Sequence, residues 1–165
     1  MNWPVQTDCD AYYGNPRGRD ARASGVWERA NLTRIAPPFA MTFSGKPIKT
    51  ITIHRKCADS LSRVLAAIRD AAAREPRLLD EWGANVFGGA YVYRVMRGGS
   101  RLSMHAYGCA IDLDPARNAF HDETPHFALP PAAVVKAFES EGWEWGGRWK
   151  DRACDGMHFQ AARTR

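Results

Sequence analysis

Two short motifs in the second half of the chain carry side chains that could bind a metal ion. In the first, SRLSMHAYGCAIDLD, His105 precedes Asp112 by seven positions with Gly108 between them. A turn at Gly108 would let His105 approach from a loop while Asp112 lies on the following strand. Asp114 shares a strand face with Asp112 by period-two alternation, so spacing alone does not choose between the two carboxylates.

The second motif, GWEWGGRWKDRACDGMHFQ, contains Asp155 and His158 as a D-x-x-H unit at the start of a predicted strand. Imidazole and carboxylate are ordinary zinc ligands, and three protein ligands leave a fourth position open, as in catalytic sites. Bound zinc lowers the pKa of water to about 7, and a neighbouring carboxylate can act as general base. The other histidines, at positions 54, 121 and 126, are interpreted as surface or hydrogen-bonded residues.

Together the two motifs resemble the hallmarks of the zinc D-alanyl-D-alanine carboxypeptidase family, which includes VanY-like enzymes and phage L-alanyl-D-glutamate endopeptidases. The pattern S-x-H-x-x-G-x-A-x-D begins at Ser103, and W-G-G-x-W begins at Trp145. D-x-x-H-F then begins at Asp155, so the resemblance covers roughly Tyr91 to Gln160. It implies one zinc ion bound by His105, Asp112 and His158, and a catalytic acid/base at Asp155.

The resemblance also implies substrate-binding residues. Ser103 matches a family serine that positions substrate, and an arginine upstream of it binds a substrate carboxylate. Arg94 is the best match, with Arg97 and Arg101 as alternatives; the planar guanidinium can bind a carboxylate through two hydrogen bonds. Trp145 is interpreted as lining the cleft against glycan or peptide, and packing beneath the metal is the alternative.

Length and charge define the setting of these motifs. The chain has 165 residues, a size typical of one domain, with residues 1–35 predicted as an irregular N-terminal wrap and 90–161 as the catalytic core. The net charge of +5 favours an acidic partner, and the bacterial wall is acidic. Because no run of basic residues occurs, nucleic-acid binding is not expected.

The periodicity of the sequence predicts an α+β fold, a small antiparallel sheet with flanking helices, and the resemblance implies a fold shared with the Hedgehog signalling domain. Strands are predicted at 47–56, 90–96, 108–114 and 157–161. A helix is predicted from Ser60 to Arg74, with Asp59 or Ser60 as N-cap and Pro76 as the stop. A second is predicted in LPPAAVVKAFESEG.

Cysteine spacing and the N-terminus suggest a compartment. The four cysteines form no C-x-x-C pair and are interpreted as reduced, partly buried thiols. No apolar segment of signal-peptide type lies within Met1 to Gly14, and no membrane span is apparent. The protein is therefore predicted to stay in the cytoplasm until it is released and then to act on the cell wall or periplasm. It is also predicted to be a monomer.

These observations predict a zinc peptidase that hydrolyses a stem-peptide amide bond of peptidoglycan. The preferred reaction is cleavage between L-Ala and D-Glu by a phage-type endolysin, since a resident wall enzyme would need export. The alternatives are a D-alanyl-D-alanine carboxypeptidase and a non-catalytic zinc-containing binding module. An intact Asp155 argues against the binding module, because a module without turnover needs no general base.

Overall fold

A computed structural model describes residues 2–96, 98–150 and 153–165 of the chain. Its α-helices are α1 (Cys9–Tyr13), α2 (Gly25–Asn31), α3 (Arg55–Ala71), α4 (Leu78–Glu81) and α5 (Ala133–Ser140). Its strands are β1 (Leu32–Ile35), β2 (Met41–Phe43), β3 (Lys46–Ile48), β4 (Ile51–His54), β5 (Phe87–Gly89), β6 (Ala110–Leu113), β7 (Glu144–Trp145) and β8 (His158–Gln160). Among these described residues, no helix is long and apolar enough to cross a bilayer.

The largest sheet has four antiparallel strands in the order β5-β6-β8-β7, and two further antiparallel pairs are β1-β4 and β2-β3. This mixture of helices and small antiparallel sheets confirms the predicted α+β class. Within the large sheet, Ile111 lies opposite Phe159, and both side chains are fully buried. That face is the core side of the sheet, so alternate residues of β6 and β8 are directed to the other face.

Helix α3 differs from its prediction at both ends. It begins at Arg55, so neither Asp59 nor Ser60 is its N-cap, and it ends at Ala71 rather than at Arg74. The N-cap is His54, whose Nδ1 accepts a hydrogen bond from the Lys56 backbone N–H at 3.1 Å. Because an imidazole nitrogen can satisfy a free N–H of the first turn, the helix starts directly after β4.

The predicted strands are found with altered limits. The prediction for 47–56 spans two separate strands, β3 and β4, and the following helix has already begun at Arg55. Residues 90–96 are not assigned as a strand, and β5 lies just before them. They are nevertheless extended beside 101–105, with Val92 N–H donating to His105 O and Ser103 N–H to Arg94 O. The strands predicted at 108–114 and 157–161 are confirmed as β6 and β8.

The N-terminal segment contributes to the core. Trp3 and Tyr13 are each 1% exposed, and the Tyr13 hydroxyl donates to Ala161 O at 2.5 Å. Val5 forms a parallel bridge with Arg163. The segment predicted as an irregular wrap therefore contains the short helices α1 and α2 and is bonded to the residues that follow β8. The four cysteines are buried free thiols.

Candidate metal centre

His105 is positioned by a short 3-10 helix, Met104–Tyr107, that precedes β6. The Ser103 hydroxyl accepts a hydrogen bond from His105 N–H at 3.4 Å, and Gly108 ends the helix with a left-handed φ of 64°. A Cβ on Gly108 would lie 2.8 Å from Leu32, so glycine is required by space as well as by conformation. The predicted turn at Gly108 is confirmed, and it directs His105 back toward the sheet.

Asp112 and His158 are opposite each other in the β6–β8 pairing. Opposed residues of antiparallel strands direct their side chains to the same face, and this is the face away from Ile111 and Phe159. Asp114 is excluded because β6 ends at Leu113 and Asp114 has a left-handed φ of 43°. Its buried carboxylate instead accepts from Arg117 Nε at 2.6 Å.

The two histidines and Asp112 bring three acceptor atoms to one point. Asp112 Oδ1 lies 3.2 Å from His105 Nε2 and 3.0 Å from His158 Nδ1, and the two ring nitrogens are 3.2 Å apart. His105 donates its other ring N–H to Ala90 O at 2.6 Å, and His158 donates Nε2–H to Gln160 Oε1 at 3.1 Å. The converging nitrogens of the neutral rings therefore carry lone pairs.

Three converging acceptors attract a cation. Burial alone would raise the pKa of Asp112, but the facing rings of His105 and His158, which donate to the carboxylate when they are protonated, hold that pKa well below its usual range. Burial would lower the pKa of His158, yet the carboxylates of Asp112, to which the protonated ring donates, and of Asp155 raise it. The site thus favours an ionised carboxylate together with positive charge, which a proton or a metal ion can supply.

The donor set and its spacing fit zinc. Tetrahedral zinc has ligand bonds of about 2.0–2.2 Å, which places its ligand atoms roughly 3.4 Å apart. The three contacts of 3.0–3.2 Å are close to that separation. His105, Asp112 and His158 are the cluster of the described residues that could bind a metal ion. Two imidazoles and one carboxylate would leave a fourth position for water or substrate.

Asp155 lies three residues before His158, in the turn that leads into β8. Its backbone N–H donates to Gly146 O at 3.1 Å, and its carbonyl accepts from His158 N–H at 3.1 Å. A Cβ on Gly146 would lie 2.5 Å from Asp155 O and 3.3 Å from His158 Cβ. The first glycine of the W-G-G segment therefore permits this turn to pack closely beside the metal ligands.

A cavity of about 790 Å³ lies over the cluster and includes Asp112, Asp155 and His158 in its lining. Within the part of the chain that the structure describes, its other charged lining residues are basic: Arg94, Arg148, Lys150 and Arg165. Arg148 forms an ion pair with Glu139 and remains 63% exposed. The cavity therefore combines a candidate metal site, one further carboxylate and several cations, an arrangement suited to an anionic substrate.

The substrate residues predicted from the sequence have different locations. Arg94 and Ser103 line the cavity, whereas Arg101 does not; Arg97 lies outside the described residues. The Arg94 backbone carbonyl accepts from Ser103 N–H at 3.0 Å, so the two are neighbours across the extended pairing. Of the two candidates that the structure describes, Arg94 lines the cavity and Arg101 does not.

Trp145 is not in the cavity. It lies opposite Phe159 in the β7–β8 pairing, is 5% exposed and donates Nε1–H to Gly156 O at 2.7 Å. It packs in the core, so contact with substrate does not fit its position. Trp149 lines the cavity instead, with its ring centroid 5.5 Å from that of His158. The register of Trp145 with Phe159 distinguishes the two tryptophans, and the sequence alone does not show that register.

Gln160 is a residue of the site that the motifs did not identify. It is 1% exposed, its Oε1 accepts from His158 Nε2–H, and its Nε2 donates to Ala162 O at 3.0 Å. By period two it shares a strand face with His158. That alternation was visible in the sequence, but the role of the amide depends on its position relative to the ring.

Comparison with known proteins gives one family match. Residues 97–161 match the family model described as D-alanyl-D-alanine carboxypeptidase. No curated protein and no solved structure was found to match the chain. The matched range contains both motifs and the three clustered side chains, and it supports the family resemblance that those motifs predicted.

Proposed function

With the D-alanyl-D-alanine carboxypeptidase match of residues 97–161 as the premise, we propose that this chain is a zinc-dependent peptidase that hydrolyses a stem-peptide amide bond of bacterial peptidoglycan. The observation that carries the proposal is that His105, Asp112 and His158 each offer a ligand atom within 4.8 Å of the other two. This cluster lies beside a cavity that Asp155 also lines. A binding module would need the ligands but not a separate carboxylate.

The three ligands would hold the ion, and zinc bound there supplies a Lewis acid that lowers the pKa of water to about 7. Asp155 accepts the proton of the attacking water and later donates it to the leaving amine. His105 and His158 keep their ring orientation through the hydrogen bonds to Ala90 O and Gln160 Oε1. Both rings are almost fully buried, at 3% and 6% exposed.

Arg94 and Ser103 are proposed to hold the substrate. The Arg94 guanidinium donates to Val95 O at 3.3 Å, and the residue lines the cavity. It can bind a substrate carboxylate through two parallel hydrogen bonds. Ser103 is 5% exposed, and its hydroxyl accepts from His105 N–H at the start of the 3-10 helix. Because Ser103 also lines the cavity, its O–H can donate to a bound substrate.

The bond cut is proposed to be the one between L-Ala and D-Glu. The support is the number of cations among the described residues that line the cavity: beside Arg94 it contains Lys150, Arg165 and Arg148, the last of which is paired with Glu139. A longer acidic stem peptide offers carboxylates to more than one of them, whereas removal of a terminal D-Ala needs a clamp for one carboxylate. The description of the matched family favours that carboxypeptidase reaction as the second candidate. The endolysin role stays a prediction from the sequence.

Digestion of purified peptidoglycan with mass analysis of the fragments tests the function. Endopeptidase action gives fragments with a new N-terminal D-Glu, and carboxypeptidase action releases free D-Ala. Either product should disappear with a chelator and return when zinc is added. Zinc binding without any hydrolysis would contradict the peptidase proposal and support the non-catalytic binding module.

A further inference from the structure

The metal ligand His158 has a buried neighbour, Gln160, that no motif of the chain assigns to the site. The two side chains lie on the same face of β8, and His158 Nε2 is 3.1 Å from Gln160 Oε1. Both residues are almost fully buried, at 6% and 1% exposed. A hydrogen bond in such surroundings is protected from competition by water, so it can determine the state of the ring.

The orientation of the Gln160 amide is fixed from its other end. Gln160 Nε2 lies 3.0 Å from Ala162 O, which can only accept, so this amide end must be the donor. Gln6 Nε2 lies 3.2 Å from Gln160 Oε1 and donates to the same oxygen. Gln160 Oε1 is therefore an acceptor, and His158 must supply its Nε2–H to it.

This bond decides which ring nitrogen of the neutral His158 carries the proton. A neutral imidazole carries one proton, so Nε2–H leaves Nδ1 with a lone pair. His158 Nδ1 is 3.0 Å from Asp112 Oδ1 and 3.2 Å from His105 Nε2. Without the acceptor at Nε2, the proton could move to Nδ1 and be donated to Asp112, which would occupy the direction that a metal ion requires.

We propose that Gln160 is a positioning residue of the metal centre, which holds His158 as the Nε2–H tautomer and so presents Nδ1 to the ion. Ala162 O, in the chain after β8, fixes the orientation of the amide, and the additional bond from Gln6 is not required for the bond to His158. The inference requires the metal site but not peptidase activity. Residues that orient a metal-bound histidine in this way typically change metal affinity about 10–100-fold when they are replaced.

Three variants separate this role from general packing. Gln160→Leu keeps the approximate volume and removes the acceptor; Gln160→Glu keeps an acceptor for Nε2–H and loses the donor to Ala162 O. Gln6→Leu removes the other donor to Gln160 and leaves the bond to His158 intact. Zinc affinity is measured by competition with a chromophoric chelator. We expect a loss of about 10–100-fold for Gln160→Leu, and near-normal affinity for Gln160→Glu and Gln6→Leu.

A second readout does not involve zinc. Nitrogen NMR of isotope-labelled, metal-free protein reports which ring nitrogen of neutral His158 carries the proton. We expect Nε2–H in the parent chain and in Gln160→Glu, and a shift toward Nδ1–H in Gln160→Leu. Nδ1–H in the parent chain would overturn the proposal without any variant. Unchanged zinc affinity in folded Gln160→Leu, or an equal loss in Gln160→Glu, would also overturn it.

These outcomes are independent of the proposed function. If peptidoglycan is not hydrolysed by the parent chain but the zinc affinities and tautomers follow this pattern, the role of Gln160 stands and the peptidase proposal fails. If hydrolysis occurs and Gln160→Leu binds zinc normally, the peptidase proposal stands and the proposed role of Gln160 fails. Near-UV circular dichroism of each variant establishes that the fold is retained before either measurement is interpreted.

Discussion

At the scale of single residues, Asp155 is the proposed general base, and its replacement should separate metal binding from turnover. Its side chain lines the cavity but is not one of the three clustered ligands. We therefore expect Asp155→Asn to bind zinc with almost unchanged affinity and to lose about 10²–10⁴ in rate, the usual contribution of a general acid or base. Initial rates on peptidoglycan and zinc content by mass spectrometry check the two parts separately.

The matched control for this change is Glu123→Gln, which removes one exposed carboxylate that is not among the cavity-lining residues. It should retain both zinc and full activity. A fully active Asp155→Asn enzyme would remove Asp155 from the mechanism. Loss of zinc from that variant would instead indicate that Asp155 takes part in binding the metal.

Arg94 and Arg101 form a natural pair for testing substrate binding, because both are exposed and only the first lines the cavity. A hydrogen bond to a charged group contributes about 1.5–3 kcal/mol. Arg94→Gln should therefore lower kcat/KM roughly 10–100-fold, mainly through KM. Arg101→Gln should leave it within about twofold of the parent chain. Equal losses in steady-state kinetics on a soluble stem peptide would contradict the assignment.

The three clustered ligands could be predicted from the sequence only through the family resemblance that the two motifs carry. The choice between Asp112 and Asp114 from residues alone was not possible, since strand alternation treats both alike. The structure resolves it through the end of β6 at Leu113. Trp145 was misplaced because the sequence does not show that it is in register with the buried Phe159.

At the scale of elements, the turn from Asp155 to His158 depends on Gly146. Since an added methyl group would lie 2.5 Å from Asp155 O, Gly146→Ala must shift either the turn or its own 3-10 helix, Gly146–Arg148. Overpacking of this kind costs about 1–3 kcal/mol. We expect a lower free energy of unfolding and reduced zinc affinity, measured by urea titration and chelator competition.

Gly99→Ala is the corresponding control, because the nearest atoms to its added Cβ would be 3.9 Å away, in ordinary contact. Its free energy of unfolding should stay close to that of the parent chain. If the two alanine variants are equally stable and bind zinc equally well, close packing at Gly146 has no part in positioning the turn.

His54 joins β4 to α3 and should make stability depend on pH. Burial lowers its pKa to about 4, an effect that the charges of Lys56 and Arg55 reinforce and the bond to Tyr13 O opposes. The unfolded pKa is about 6.5, so the unfolded chain binds the proton more tightly. The stabilisation is fully present above about pH 6.5 and is lost as pH falls toward 4, up to about 3 kcal/mol.

His54→Asn tests this dependence, because asparagine is also a good N-cap and can accept from Lys56 N–H. It loses the ring contacts with Tyr13 and Trp27 and should be less stable at neutral pH. Urea unfolding between about pH 7 and about pH 4.5 should show a flatter pH dependence for the variant than for the parent chain. Parallel pH curves would exclude His54 as the responsible group.

The elements themselves were predictable where hydrophobic periodicity is strong. The core side of α3, with Leu61, Val64, Leu65 and Ile68 buried, follows the helical spacing read from the sequence. Its start was not predictable, since histidine is an uncommon N-cap and its ring must reach the Lys56 N–H. The 90–96 segment has strand-like residues, but its hydrogen bonds to 101–105 are too sparse to form a regular ladder.

At the scale of the whole molecule, the net charge of +5 favours association with the acidic cell wall. Attraction between exposed charges is screened over about 10 Å at 0.1 M salt. The rate on intact peptidoglycan should therefore fall roughly threefold or more between about 50 and about 500 mM salt. Hydrolysis of a short soluble stem peptide should change less. The same salt dependence for both substrates would show that the overall charge does not recruit the wall.

The three residues of strand β8 lie in different surroundings: His158 belongs to the candidate metal cluster, Phe159 packs in the core, and Gln160 accepts a hydrogen bond from the His158 ring. A slip of one position would exchange the two faces of the strand, placing an aromatic ring among the ligands and a histidine among apolar side chains. An ion that requires His158 opposite Asp112 would thus stabilise only correctly paired chains. Metal binding during refolding would then favour the native register of β8 over registers shifted by one residue.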